Sequence, residues 1–497
     1  MHIIQVSSEL TPIAKVGGLG DVVYGLSKEL IRQGHKVQVI LPKYDCIDYS
    51  LLKNLQVHYR DLWSYDGAYR YHNTVWSAEV ENLSILLIEP HHPNYLFSRG
   101  LIYGASDDTD RFLYFSRTVM EFLFKSHSQA DILHVHDWPT AIMPVLQKDM
   151  YEALGFRPRK TILTIHNLEH QGKCSPETLT KIGLKGELYL SADKLQDPVD
   201  LDLINILKGG ISYATAVTTV SPSYNEEIKI EEKSHGLGPF INKQAKKLQG
   251  ILNGVDEDFW NPEIDPYITQ KFPSHPPFNE ESWGLVQKGK AANKKELQKI
   301  LGLEQKKAPL IACIARLVPQ KSPLLIAHAF RHALSKGAQC VILGSTHSEE
   351  MTSLFSFLLS ECSSTFPGQG SISLCYDEKL SHLIYAASDM FLVPSLFEPC
   401  GLTQMIALRY GCVPIVRNTG GLADTVFDID TASCPPKERN GFVFQNPEKK
   451  ELNHAIDRAL KLYKENPTKW NELMKQGLSK DYSWKCATKE YLKLYSR

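Results

Sequence analysis

Short apolar runs, each followed by a stretch of helical periodicity, recur along almost the whole chain, and they fall into two successive sets. The first set is 2–7 (HIIQVS), 36–42 (KVQVILP), 83–89 (LSILLIE), 131–136 (DILHVH), 160–166 (KTILTIH) and 216–221 (AVTTVS). The second is 309–315 (PLIACIA), 338–343 (AQCVIL), 371–376 (SISLCY), 389–394 (DMFLVP) and 412–417 (CVPIVR). The runs are continuous rather than alternating, as parallel strands covered on both faces require. Helical patterns intervene at 21–33, 322–336, 379–388, 402–410 and 449–465. In the first of these, Val22, Val23, Leu26 and Leu30 share a face and Gly34 supplies the stop. Such alternation dictates doubly wound α/β layers. A length of 497 residues leaves room for two or three domains, and the two sets part near Asn253-Gly254, after the basic stretch Lys243 to Lys247. A proline-rich segment (Pro262, Pro266, Pro273, Pro276, Pro277) then reads as an extended excursion. The expected domains are 1–250 and 251–477, with an aromatic helix over 478–497 crossing back to the first.

Composition works by exclusion. Lys plus Arg number 55 against 56 for Asp plus Glu, a net charge of −1, which lacks the basic surplus of a nucleic-acid or membrane-surface protein. Small or neutral partners are expected. Ten cysteines are scattered with no CxxC pair, so neither a zinc ribbon nor a thioredoxin-like motif is present, and a reducing, cytoplasmic setting fits. The start, MHIIQVSSEL, is neither a signal nor a transit peptide, and no apolar run approaches the ~18 residues that span a bilayer.

The motifs lie where the apolar runs end. After the first strand come Ser7-Ser8-Glu9 and then Lys15-Val-Gly-Gly18-Leu-Gly20-Asp21, opening a helix. Glycines there let backbone N–H groups approach an anion at a helix N-terminus, and Lys15 adds a positive charge. The loop is a poor dinucleotide fingerprint, because Gly18-x-Gly20-x-x lands on Val23, and it lacks the GK[ST] of a Walker loop. Two further strand ends carry His134-Val-His136-Asp137-Trp138 and Thr164-Ile-His166-Asn167. A lone histidine is more often structural than functional, so these persuade only in company. His134 and His136 are read as facing opposite sides of their strand, which speaks against a metal pair. In the second half, Arg316 and Lys321 follow one strand, Ser395-Leu-Phe-Glu398-Pro-Cys400-Gly401-Leu402-Thr403-Gln404 follows another, and Arg417-Asn-Thr419-Gly420-Gly421 follows a third. Two cations facing two glycine-bearing helix N-termini would cradle a diphosphate. The bland alternatives are a surface ion pair for Arg316 and Lys321, and a first-turn helix carboxylate for Glu398.

Taken together, KVGGLGDV, HVHDW, TIHNLEHQG, TTVSPSYNEEI, GILNGVDEDFWNP, ARLVPQK, FEPCGLTQ and NTGGLADTV resemble, in order and over the full length, the bacterial glycogen synthases and plant starch synthases. The absent transit peptide favours the bacterial branch. The resemblance implies a GT-B fold, two Rossmann-like doubly wound domains facing a central cleft. The first would be the acceptor and catalytic domain, the second the nucleotide-sugar domain. It implies a retaining glucosyltransferase that moves glucose from ADP-glucose to the non-reducing end of an α-1,4-glucan, with neither cofactor nor metal. By the same resemblance Lys15 and Gly18 look like donor-phosphate contacts, with Asp21 beside them. Asp137, His166 and Asn253 resemble sugar-site groups, and Tyr95 an aromatic near the nucleotide or glucan path. Arg316 and Lys321 resemble the diphosphate cations, Glu398, Cys400, Gly401 and Leu402 the glucose-binding loop, and Thr419 with Gly420 a phosphate-facing turn. The chain departs from the family pattern at Ala315, Ser322, Leu396 and the Ser345-Thr346 turn, which bear on the rim of the donor pocket. Two rivals are an NAD-dependent oxidoreductase, which explains no second-domain motif, and a catalytically silent glucan binder.

Overall fold

A computed structural model of the chain describes residues 1–346 and 348–496. They form two compact units: Met1–Gly254 together with the chain from Trp484 on, and Val255–Ser483. The first unit is built on nine strands: β1 (His2–Val6), β2 (Lys36–Pro42), β3 (Lys53–Asp66), β4 (Tyr69–Val80), β5 (Leu83–Pro90), β6 (Ile132–His136), β7 (Lys160–Ile165), then β10 (Ala216–Thr219) and β11 (Leu248–Gly250). Between them β8 (Lys173–Cys174) and β9 (Ile204–Asn205) pair as a short antiparallel ribbon. The sheet order is β11-β10-β7-β6-β1-β2-β5-β4-β3. All pairings are parallel except β3 with β4 and β4 with β5. Ile3, Ile4, Val39, Ile40, Leu133 and Val135 are fully buried, as the continuous apolar runs demand. From central β1 the chain winds outward both ways, so β1 and β6 flank the topological switch point, where ligands of doubly wound sheets bind beyond the strand C-termini.

The second unit repeats the plan with β12 (Leu310–Arg316), β13 (Gln339–Ser345), β14 (Gly370–Ser373), β15 (Met390–Val393), β16 (Val413–Arg417) and β17 (Phe442–Phe444). They lie parallel in the order β14-β13-β12-β15-β16-β17, with the switch point between β12 and β15.

Four differences from the sequence expectations have physical causes. The hairpin β3–β4 was not expected: it is an exposed, polar sheet edge whose register shifts repeatedly, so no clean alternation marks it. Helix α1 (Gly18–Arg32) starts three residues before the expected 21, and α2 (Asp108–Lys125) is buried around most of its circumference, which hides its amphipathic stripe. The expected helix over 478–497 is divided: residues 478–483 stay with the second unit, and the helix proper is Trp484–Ser496. Within the first unit it is held by the Tyr495 hydroxyl on His134 Nδ1 (2.8 Å) and by Lys160 Nζ donating to the Leu494 carbonyl (2.7 Å). A Cβ on Gly25 of α1 would lie 1.9 Å from Trp484 Nε1, so the two helices approach closely only because that side chain is missing. Among the described residues no helix is long and apolar enough to cross a membrane.

Candidate functional site

In the first unit the chemistry gathers beyond β1, β6 and β7. The loop before α1 was expected to offer its amides to an anion, and an anion is already there. Glu9, 4% exposed, accepts hydrogen bonds at Oε2 from the backbone N–H of Val16 (2.7 Å) and Gly17 (2.8 Å), and at Oε1 from the Tyr103 hydroxyl (2.9 Å). The chain's own carboxylate therefore fixes the loop, and only the amides from Gly18 onward are left for a ligand. A Cβ at Gly17 or Gly18 would meet nothing within 4 Å, so packing does not explain the glycines. Lys15 Nζ pairs with Asp21 Oδ1 at 2.8 Å, and Thr11 Oγ1 donates to the same oxygen at 2.8 Å.

Asp137 follows β6 in the left-handed region (φ +54). Its Oδ1 accepts from the His166 N–H (2.6 Å) and the Asn167 N–H (3.4 Å), which joins the ends of β6 and β7. Burial raises the Asp137 carboxyl to about 7, against the pull of those two N–H groups and with help from the Glu9 charge. Burial lowers His166 and His134 to about 3 each, and lowers His136 well below the usual imidazole range, so all three rings are neutral at pH 7. His136 Nδ1 lies 3.1 Å from His166 Nε2. The expectation that His134 and His136 face opposite ways is wrong: strand side chains alternate, so i and i+2 share a face, and the two rings stack 4.3 Å apart. Among the described residues no three His, Cys, Asp or Glu side chains gather as a metal site. Tyr95 stands on the loop after β5, 70% exposed with φ +49, and Asn253 is buried with Oδ1 unpartnered among the described residues. Among the described residues neither shares a hydrogen bond with Lys15, Asp21, Asp137 or His166.

In the second unit Lys321 and Glu398 are joined: Lys321 Nζ donates to Glu398 Oε2 across a short ion pair, and Ser395 Oγ donates to the same oxygen at 2.8 Å. Glu398 is 5% exposed, so its carboxylate is a buried partner and not a first-turn helix charge. Lys321 owes its place to the turn after β12, where Ser322 sits at φ +54, a conformation that suits glycine. Arg316 is exposed, and its guanidinium makes no hydrogen bond or ion pair among the described residues. The two glycine turns pack on each other. A Cβ at Gly420 would lie 2.0 Å from the Glu398 carbonyl oxygen, and one at Gly421 2.0 Å from that of Cys400. The missing side chains thus let one turn seat on the other, which is the first demand on Gly420. Gly401 (φ +72) needs its glycine for the backbone, Leu402 is the N-cap of helix Thr403–Arg409, and Thr419 is the N-cap of helix Gly420–Thr425. Gln404 Nε2 donates to the carbonyls of Cys400 (3.2 Å) and Gly401 (2.8 Å) and to Thr425 Oγ1 (3.1 Å), tying these turns together.

Glu9, Tyr103, Ser395 and Gln404 escaped the sequence reading. Ser7-Ser8-Glu9 was visible at a strand end, but nothing in its spacing says that the carboxylate folds back onto the loop amides.

Comparison with known proteins bears on both units. A family model of the starch synthase catalytic domain matches residues 2–243, and one of glycosyl transferases group 1 matches residues 293–476. A glycogen synthase of Protochlamydia amoebophila is 47% identical over 496 residues, covering 100% of this chain and 99% of that protein. Probable starch synthase 4 of Arabidopsis thaliana is 43% identical over 100% of this chain and 47% of its own length. The catalytic domain of Starch Synthase IV from Arabidopsis thaliana, bound to ADP and acarbose, superposes with a TM-score of 0.94 at 42% identity, covering 100% of this chain and 99% of that one. A sucrose-phosphate synthase from Thermosynechococcus elongatus covers 100% of this chain and 98% of its own at a TM-score of 0.60 and 15% identity, a likeness of fold.

Proposed function

The chain belongs to the starch and glycogen synthase family of glycosyltransferases, and we propose that it moves glucose from ADP-glucose to the 4-hydroxyl at the non-reducing end of an α-1,4-glucan, with retention and release of ADP. The observation that carries this reading is the full-length likeness to a relative solved with both ADP and acarbose. The fold is GT-B, and the residues of each unit suit the task.

Arg316, Lys321 and the helix N-terminus at Gly420 are assigned to the diphosphate, whose departure builds negative charge that fixed cations and helix dipoles stabilise. Lys321 is already oriented by Glu398, whose carboxylate Ser395 holds in turn, so little reorganisation is needed as charge develops. Glu398, with the Cys400–Leu402 backbone, is assigned to the glucosyl unit, where a carboxylate favours positive charge at the anomeric carbon. In the first unit Lys15 and Gly18 are assigned to the donor phosphate with Asp21 beside them, and Asp137 and His166 to the sugar and its acceptor. Tyr95 and Asn253 take outlying substrate contacts. A glycosidase-style double displacement would want a second carboxylate near Glu398; the residue eight positions on is Ile406, which speaks against a double displacement that uses this motif.

Side-chain cations stand in this scheme where other transferases use Mg²⁺, so turnover should persist in EDTA. All ten cysteines are free thiols, in keeping with a reducing cytoplasm. The decisive assay offers ADP-glucose and UDP-glucose with glycogen, follows nucleotide release, and reads the new linkages by NMR. New α-1,4 linkages with ADP release are expected. New β linkages, or transfer abolished by EDTA and restored by Mg²⁺, would overturn the mechanism.

A further inference from the structure

Beneath His166 lies a line of fully buried polar side chains that the proposed chemistry leaves unused. Ser27 on α1, Gln5 on β1 and His136 at the end of β6 each have 0% exposure. Gln5 Nε2 donates to Ser27 Oγ at 2.6 Å, Gln5 Oε1 faces His136 Nε2 at 3.0 Å, and His136 Nδ1 faces His166 Nε2 at 3.1 Å. Three fully buried polar groups leading to His166 cost desolvation unless each finds its complement, so the direction in which the Gln5 amide points sets the order of donors and acceptors along the line.

From the helix outward, each donor fixes the next acceptor. With its amide nitrogen on Ser27, Gln5 turns an oxygen toward His136, and an amide oxygen can only accept. His136 Nε2 therefore carries the hydrogen. A neutral His136 has then a bare Nδ1, which accepts, so the hydrogen between the two rings belongs to His166 Nε2. His136 stacks at 4.3 Å on His134, itself saturated by Thr164 Oγ1 (2.7 Å) and the Tyr495 hydroxyl (2.8 Å), and among the described residues no carboxylate pairs with either ring to support an imidazolium. What remains is His166 Nδ1. It meets no hydrogen-bonding group among the described residues, and the ring keeps partial access to solvent at the end of β7, beside Asp137.

We infer that Ser27, Gln5 and His136 form a relay that locks His166 in its Nε2–H tautomer, so that Nδ1 presents a lone pair to a hydroxyl of the glucosyl unit; Gln5 and His136 are positioning residues. The assignment of the hydroxyl rests on the function proposed above; the tautomer does not. A histidine in the opposite tautomer would offer an N–H to the same hydroxyl and reverse its hydrogen bond. Holding the order from α1 therefore links the helix that opens at the glycine loop to the sugar-facing ring.

The test is long-range ¹H–¹⁵N correlation on the ligand-free full chain with ¹⁵N-labelled histidine, His166 being assigned by loss of its signals in His166→Asn. The expected result is a hydrogen on His166 Nε2 and a bare Nδ1. His136→Gln can accept from His166 and donate to Gln5 in the same order, so the tautomer should persist with turnover within a few-fold of the parent. His136→Phe and Gln5→Leu break the order at two different points. In either, the tautomers of His166 should mix, kcat should fall about tenfold, as for one misdirected hydrogen bond, and ADP affinity should be unchanged because ADP carries no glucose. A hydrogen on Nδ1 in the parent protein, or a tautomer indifferent to both His136→Phe and Gln5→Leu, overturns the relay whatever the activity. A tautomer that shifts while kcat stays constant overturns the assignment of Nδ1 to a substrate hydroxyl. Absence of glucosyl transfer by the parent protein, with the tautomer as expected, would instead remove the function on which that assignment rests.

Discussion

Asp137 is held where a carboxylate is costly and a left-handed backbone is required (φ +54). Its ionisation is displaced from the usual carboxylate range to about 7. The folded protein therefore resists losing that proton, and stability should decline as pH rises from ~4, where a free carboxyl ionises, through about 7. Asn tolerates the left-handed region and carries no charge. Asp137→Asn should match the parent in stability near pH 4 and exceed it above pH 7, by roughly 1–3 kcal/mol given the partial solvent access and so with a higher melting temperature there, while glucosyl transfer falls at every pH. A melting difference that does not change with pH would show that the carboxyl ionises normally. Lys321 and Glu398 behave as one unit for a similar reason. Removing either leaves the other charge poorly solvated, so Lys321→Met and Glu398→Gln should each lower stability, and the double variant should lose less than the sum, by ~1–3 kcal/mol. Each single variant should also lose turnover by on the order of 10²–10³. Additive melting shifts in the double-mutant cycle would mean that the pair is incidental.

Elements deliver these groups through their ends. Parallel strands β1, β6 and β7 release the chain on one edge of the first sheet, and β12, β15 and β16 do so in the second, which is why the motifs gather beyond strand ends. The turn between β12 and the helix Pro323–Ser335 carries Lys321 and is a strained exit, because Ser322 holds φ +54 with its hydroxyl buried and unpartnered among the described residues. Ser322→Gly should relieve ~1–2 kcal/mol of backbone strain against ~0.5–1 kcal/mol of added chain entropy. Scanning calorimetry should then show a melting temperature ~1–3 °C higher with Lys321 still in place. A lower melting temperature would show that the serine hydroxyl holds the turn.

For the molecule as a whole, the return of helix Trp484–Ser496 makes the first unit discontinuous in sequence. Trp484, Tyr491 and Tyr495 are buried there, and His134 takes one of its two hydrogen bonds from Tyr495. Ending the chain at Ser483 strips these three aromatics, worth on the order of 5 kcal/mol or more by burial alone, against a typical total of ~5–15 kcal/mol. The truncated chain should lose the first unit's cooperative melting transition or fail to remain in solution. An unchanged transition would show that the helix is an accessory.

Apolar runs and their periods were enough to read two doubly wound sheets and to place the motifs at strand ends, because backbone pairing and burial act on each segment locally. The family resemblance then pointed to the residues that carry the chemistry. Which atoms face one another was beyond local reading. That Glu9 occupies the loop amides, that Glu398 pairs with Lys321 and not with its own helix, that Gly420 is bare for another backbone, and that His166 rests on His136 and Gln5 all depend on contacts between segments far apart in the chain. The misjudged pair His134 and His136 belonged to the local part, since strand alternation alone puts them on one face. Sequence determines which side chains a segment presents and at what period; only tertiary packing decides which of them lose water together, and buried polar groups take their roles from that.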